Sequence, residues 1–366
     1  MRVTRSMATG RLSIHLLYDD GTAVPEVDAF LQHLLARGCS PNTALAYGHD
    51  LKHLYAFLQL TQLTLGHFSP ARAVDFLTYL NTLPGRGAKG RAPLTAASIN
   101  RMLAAVSTFF EHCILTEVVS HSENPIQKRP DPTAARVSAR YIPFLALTTG
   151  QRPIRRVLRV RSVQRLPRPL SDEQVTLLLT SFSKRRDRAM FLLMLQGGLR
   201  PGEVLNLHLD DIQYAQRRIT VRHRTDHPRG ARTKSRTERV VDLHEPVTLA
   251  ILSAYIMHER PTDAPGPHVF LVGGQGAARH QPLSYAAFAK HFKRRCQTLG
   301  LTDPWITPHA LRHTHATQMW EGGMRELTLQ KRLGHASPES TKQYTRVSDS
   351  EMLRDYQHAL RQKEER

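Results

Sequence analysis

The chain has 366 residues, long enough for two domains at the usual ~100–200 residues each. Hydrophobic residues make up 40 %, which supports real cores and excludes a disordered polycation. Lysine and arginine number 51 against 31 acidic residues, a formal net charge of +20, and such an excess points to a polyanionic partner, most simply nucleic acid.

Residues 1–21 read as a short N-terminal extension, ordered only in an assembly. Leu12, Ile14, Leu16 and Leu17 are apolar, but His15 and the Asp19–Asp20 pair spoil a signal-peptide core. Residues 22–125 form an all-helical domain. Phe30, Leu31, Leu34 and Leu35 fall at helical spacing, and Ser40-Pro41-Asn42-Thr43 caps a second helix carrying Leu45, Leu51, Leu54, Tyr55 and Leu58. Leu77 and Leu80 mark a third. Ser98 to Val119 is a fourth, with Ile99, Leu103, Val106, Phe109, Phe110 and Ile114 on one stripe. Between the last two, Pro84 to Pro93 is a basic, glycine-rich loop. No G-K-[ST] follows it, so it is not a nucleotide-binding P-loop.

Residues 126–169 change character. They hold 11 Lys or Arg against one acid, Asp131, a surplus of +10 that is half the charge of the whole chain. Prolines interrupt the segment, which reads as an interdomain linker. Arg152, Arg155, Arg156, Arg159, Arg161 and Arg165 are its candidate DNA-binding residues, able to follow a phosphate backbone. A solvated tether without specific contacts is the bland alternative.

A second domain spans 170–366. Ser171-Asp172-Glu173 opens a helix through Leu179, and Asp187 to Gly197 is another. Arg218 to Arg224 and Thr237 to Leu243 hold the alternating pairs Ile219/Val221 and Val240/Val241, so they predict strands. Further helices are expected over Leu283 to Leu299, Pro308 to Met319, Thr328 to Leu333, Ser340 to Val347 and Asp349 to Gln362. The fold class is therefore mainly α with a small β-sheet. Cys39, Cys113 and Cys296 are scattered without a C-x-x-C pair, which rules out a zinc ribbon, argues against a disulfide framework and suits a reduced cytosol. No apolar run reaches the ~20 residues of a membrane span, so a cytoplasmic protein, nucleoid-associated when on DNA, is expected.

Five segments of this second domain together resemble the tyrosine recombinase (phage integrase) family. They are Gly197-Gly198-Leu199-Arg200-Pro201-Gly202-Glu203, the run Thr233-Lys234 through Arg239-Val240-Val241, His309-Ala310-Leu311-Arg312-His313-Thr314-His315-Ala316-Thr317, Leu333-Gly334-His335-Ala336-Ser337, and Tyr344 nine residues after His335. Any single piece is weak; the ordered set is specific. Residues 40–58 are similar to the opening of the family's core-binding domain, and residues 227–244 look like those of transposon-borne members.

The resemblance implies a helical core-binding domain and an α/β catalytic domain closing as a C-shaped clamp around duplex DNA with specific recombination sites. It also implies four protomers that exchange strands through a covalent 3′-phosphotyrosine and a Holliday junction, with related recombinases or accessory proteins as further partners. Tyr344 is the implied nucleophile, with Arg200 and Arg312 gripping the non-bridging oxygens, since a guanidinium matches phosphate and stays charged. Lys234 is the implied acid for the leaving 5′ oxygen, and His309 and His335 suit proton transfer or hydrogen bonding to the phosphate. Glu203 reads as an orienting carboxylate near Arg200. After Tyr344, an apolar stripe of Met352, Leu353, Tyr356 and Leu360 forms a tail that docks on a neighbouring subunit or on its own domain; the sequence leaves both open.

No cofactor is expected. His309 and His313 stand four apart, but Ala310 replaces the glutamate of H-E-x-x-H and no third ligand is apparent, so no metal is assigned. A phosphotyrosine ester preserves the bond energy of the phosphodiester, so ATP is not implied. Two rivals are a type IB topoisomerase, which would relax supercoils without joining two sites, and a non-catalytic DNA-binding protein, in which Tyr344→Phe would change nothing.

Overall fold

A computed structural model describes residues 1–8, 11–85, 92–130, 154–161, 168–233 and 238–334, together with 357 and 361. The chain divides into two compact units, Met1–Gln164 and Arg165–Arg366. Each has its own hydrophobic core.

The first unit opens with an antiparallel hairpin, β1 (Arg2–Ala8) and β2 (Arg11–Leu17), in which Val3 faces Leu16 and Arg5 faces Ile14. Ile14 and Leu16 are buried in the same core as the helices that follow. The extension expected to await an assembly is thus ordered within the chain. Alternate residues Leu12, Ile14 and Leu16 are apolar, so a strand buries them on one face, which neither a helix nor a signal peptide would do.

Four helices follow: α1 (Pro25–Ala36), α2 (Pro41–Thr61), α3 (Pro70–Thr82) and α4 (Ala96–Leu115). Their starts are written locally. Ser40, Ser69 and Thr95 each accept a hydrogen bond from the backbone N–H three residues on, and proline occupies the first turn of α1, α2 and α3. Phe57, Phe68, Phe76, Phe109 and Phe110 interlock in the core they share.

Parts of the expected linker belong to this unit. Strand β3 (Lys128–Pro130) pairs antiparallel with β4 (Ile154–Arg156). Asn100 of α4 clasps Val160, donating to its carbonyl at 2.9 Å and accepting from its N–H at 3.0 Å. Leu158 and Val160 pack on the core.

In the second unit, α5 (Asp172–Ser181) starts with a capping box between Ser171 and Gln174. Helix α6 (Arg185–Leu195) runs through the centre, with every residue from Ala189 to Leu195 buried. A three-stranded antiparallel sheet, β5 (Ile212–Gln213), β6 (Arg218–Val221) and β7 (Arg239–Asp242), has β6 in the middle and aligns Ile219 with Val241. Helices α8 (Pro246–His258), α9 (Tyr285–Thr298), α10 (Pro308–Glu321) and α11 (Glu326–Leu333) complete the described part, and a short helix, α7 (Pro201–Leu205), follows α6. The fold is mainly helical with small sheets, as the residue patterns predict. Helix α8 was not anticipated, although Pro246 marks its start. The helices expected over 340–347 and 349–362 lie outside the described residues. No helix among the described residues is long and apolar enough to cross a membrane.

Candidate active site

The site assembles around the turn Gly197-Gly198-Leu199-Arg200. Gly198 has φ +64°, and a Cβ there would come within 2.5 Å of the His315 ring, so only glycine fits. Arg200 is the N-cap of α7 and Glu203 its third residue. The Glu203 carboxylate accepts the Arg200 N–H at 2.8 Å and Arg200 Nη1 at 2.7 Å. The orienting carboxylate expected beside Arg200 is therefore in contact with it.

Glu203 is completely buried and does not serve Arg200 alone. Arg239, first residue of β7, binds it in bidentate fashion, Nη1 to Oε1 at 3.0 Å and Nη2 to Oε2 at 2.7 Å. Arg312 of α10 places Nη1 3.8 Å from Oε2. Burial alone would raise the Glu203 carboxyl, but Arg239 above all, then Arg312 and Arg200, hold it down at about 2. One carboxylate thus faces three permanently charged guanidiniums, leaving an excess of +2 at this point (3 − 1). A phosphodiester is the natural complement to such an excess.

All three guanidiniums, Arg239 through Nε to Arg332 O at 2.8 Å, also close the end of α11. Its final carbonyls have no partner within the helix and carry the negative end of its dipole. Arg312 Nη2 donates to Leu333 O at 2.6 Å, and Arg200 Nη2 donates to Gly334 O at 3.0 Å. Gly334 makes this possible as the left-handed C-cap at φ +63°. Arg312 Nη1 further donates to Gly198 O at 2.5 Å, tying α10 back to the turn before Arg200. Arg200 and Arg312, the two residues expected to grip the phosphate, are therefore held on consecutive carbonyls directly before His335.

The segment leading to Lys234 rests against the same place. A side chain at Gly202 would collide with Arg232 O, so glycine lets that segment lie on α7. Arg224 anchors it to Asp211 at 2.5 and 2.9 Å, and Thr233 bonds Arg224 through its hydroxyl. His309 lies in the first turn of α10, three residues before Arg312, and is exposed. Lys234, His335 and Tyr344 lie outside the described residues. Of the basic residues expected to track DNA, Arg155 and Arg156 are on β4 and Arg159 and Arg161 just beyond it, with Arg155, Arg159 and Arg161 exposed; Arg152 and Arg165 lie outside the described residues.

Three residues at the site were not anticipated. Arg239 lies on the buried face of β7 together with Val241. That two-residue alternation was the available signal, because an arginine in step with a core valine needs an acid inside. His315 is buried between Leu195 O, 2.8 Å from Nδ1, and Arg332, whose Nε–H donates to Nε2 at 3.1 Å. Burial and the adjacent Arg332 push His315 down to about 3, so it is neutral, with its proton on Nδ1.

Comparison with known proteins finds matches in both units of the chain. The family model described as the Phage integrase family matches residues 168–351, and that of the phage integrase N-terminal SAM-like domain matches residues 27–115. Transposase A from transposon Tn554 of Staphylococcus aureus is 28 % identical over 359 residues, covering 96 % of this chain and 95 % of the relative. The tyrosine recombinase XerD of Halalkalibacterium halodurans is 28 % identical over 333 residues, covering 88 % and 92 %. Among solved structures, the Tn1549 transposon integrase in complex with a circular intermediate DNA aligns with a TM-score of 0.62 at 16 % identity, over 91 % of this chain and 99 % of the other. A lambda integrase dimer bound to a core site aligns at 0.58 and 16 %, over 89 % and 78 %. At these identities the structural matches speak for the fold.

Proposed function

The chain belongs to the phage integrase family of tyrosine recombinases, and from that premise we propose that it cleaves and rejoins DNA at specific sites with Tyr344 as nucleophile. The observation that carries this reading is the pair Arg200 and Arg312, fixed on the consecutive carbonyls of Gly334 and Leu333 at the end of α11 and sharing one buried carboxylate.

The Tyr344 hydroxyl attacks the scissile phosphorus and gives up its proton to His309, His335 or water as the new P–O bond forms and the bond to the 5′ oxygen breaks. A phenol ordinarily titrates near 10, so it needs positive charge or a base to become a phenolate, and the +2 excess around Glu203 is the charge proposed to favour it. As the phosphorane builds negative charge, Arg200 and Arg312 stabilise the non-bridging oxygens. The 5′ oxygen departs with a proton supplied by Lys234, while His309 and His335 hydrogen-bond the phosphate or pass the proton. The product is a 3′-phosphotyrosine. Its ester keeps the energy of the original bond, so attack by a 5′-hydroxyl from another strand reseals the DNA.

The basic strand pair β3–β4 is the proposed phosphate track. Lys128 stands opposite Arg156, and Arg129 opposite Arg155. Like charges directly opposite destabilise a strand pair, so this ribbon is built to meet a polyanion. Likeness to a transposase along nearly the whole chain supports a recombinase of a mobile element. We assign a tetramer on paired DNA sites as the working assembly.

The test is covalent trapping. Wild type and Tyr344→Phe are incubated with nicked duplexes drawn from around the gene, denatured and examined for a protein–DNA adduct. An adduct formed only by the wild type is expected, and sequencing it locates the site. Salt-sensitive binding without any adduct would leave a non-catalytic binder. Supercoil relaxation without joining of two sites would identify a topoisomerase.

A further inference from the structure

We propose that Arg239 is a positioning residue for strand cleavage, holding Arg200 and Arg312 in register by clamping Glu203 and the end of α11 together. This rests on the reading of Arg200 and Arg312 as the phosphate clamp. Arg239 is not one of the residues expected to touch DNA.

All three nitrogens of its guanidinium are committed. Nη1 and Nη2 chelate Glu203, and Nε donates to Arg332 O at 2.8 Å. The backbone lies directly on this group: a Cβ on Gly334 would stand 2.8 Å from Nη1. A displacement of Arg239 therefore reaches Arg200 by two routes. One passes through Glu203 to the Arg200 N–H and Nη1, the other through Gly334 to the carbonyl bound by Arg200 Nη2. Arg312 is reached through Glu203 and through the neighbouring Leu333 carbonyl.

Place in the chain adds to the argument. Arg239 begins β7, five residues after Lys234, and its Nε partner is three residues before His335. One side chain thus ties the strand that follows Lys234 to the helix end that precedes His335. A lysine could supply the charge but not the planar three-point geometry. Positioning at this level has large kinetic consequences, because displacements of about 1 Å cost on the order of 10²-fold in rate.

The experiment uses full-length protein and a suicide substrate containing the site recovered by trapping. Arg239→Ala and Arg239→Lys are compared with wild type for single-turnover adduct formation, equilibrium DNA binding and melting temperature. Arg239→Ala is then assayed with millimolar guanidinium, with urea and sodium as matched controls. The expected result is a loss of about 10²-fold in cleavage for both variants, with DNA affinity kept within about threefold. Guanidinium, but not urea or sodium, should restore Arg239→Ala at least about tenfold, since the vacated site is shaped for that ion. Removing Arg239 also lets the Glu203 carboxyl rise, so Arg239→Ala should lose cleavage on the acid side at a higher pH than wild type does.

Wild-type cleavage with unaltered rates in both variants would overturn the proposal. So would a loss in Arg239→Lys that merely follows lost DNA binding or melting, with no guanidinium response in Arg239→Ala. A wild type that forms no adduct overturns the Tyr344 reading instead, and the wild-type lane separates that failure from the others.

Discussion

Glu203 carries a single negative charge, yet three guanidiniums depend on it. Removing one partner from a buried ion cluster leaves the others desolvated and uncompensated. Glu203→Gln should therefore destabilise the second unit by about 3–5 kcal/mol, read as a lower urea midpoint. The pH dependence follows from the same residue. Its folded carboxyl titrates at about 2 and the unfolded one near 4.5, so between those values the unfolded chain holds the extra proton. Stability from this source is complete above pH 4.5 and is lost as pH falls towards 2. Glu203→Gln should flatten that part of the stability–pH curve, and an unchanged slope would show that the carboxylate is not the titrating group. Gly198→Ala makes a second point, since a Cβ would be forced against His315 in a left-handed backbone. A loss of about 1–3 kcal/mol is expected, again from denaturant midpoints.

At the scale of elements, the segment that leads to Lys234 is pinned at its base by buried histidines. His227 Nδ1 accepts from Arg229 N at 3.1 Å and Ala231 N at 3.4 Å, which shapes the turn. Its ring packs at 5.0 Å on His268, which in turn packs at 4.5 Å on His208. Burial first, then the neighbouring imidazoles and Arg224 against the opposing pull of Asp226, pushes His268 down to about 4; His208 and His227 are lowered too. Neutral rings can pack edge to face there, whereas charged ones would repel each other. Between pH 6.5 and 4 the unfolded chain binds more protons than the folded one, so stability declines as acid is added. His268→Leu should remove part of that decline, measured as the change in melting temperature between pH 7 and pH 5. An identical decline in wild type and variant would dissociate the cluster from acid sensitivity.

For the whole molecule, the +20 charge is spread unevenly, and β3–β4 brings four of its cations into opposed pairs. Lys128 also pairs with Glu111, so it is the less available of the four. Each phosphate neutralised releases counterions, and the slope of log K against log salt changes by about 0.9 per contact. Arg155→Gln with Arg156→Gln should reduce the slope by nearly two if both touch phosphate, measured by fluorescence anisotropy across a salt series. An unchanged slope would return this segment to the status of a solvated tether. Binding to specific and unrelated duplexes should weaken alike, because backbone contacts position the protein without reading bases.

The sequence by itself determined most of the described helices, though not α8, together with the mainly helical class and the motif set in the second unit. Helix starts at Ser40, Ser69, Thr95 and Ser171 are decided by hydrogen bonds spanning three residues, so they are written in the local chain. Arg200 and Arg312 were legible because both sit in short motifs whose order was informative. The N-terminal hairpin was less so, since its two strands declare themselves only when each supplies the other's partners. Arg239 was hidden in plain view within a quoted motif. What a buried carboxylate meets is settled by segments far apart in sequence: Glu203 finds Arg239 36 residues on, and Arg200 reaches the carbonyl of Gly334 across 134. No local period encodes those meetings. They exist only once α7, β7, α10 and α11 have packed, because that packing removes the water that would otherwise have solvated every one of these charges.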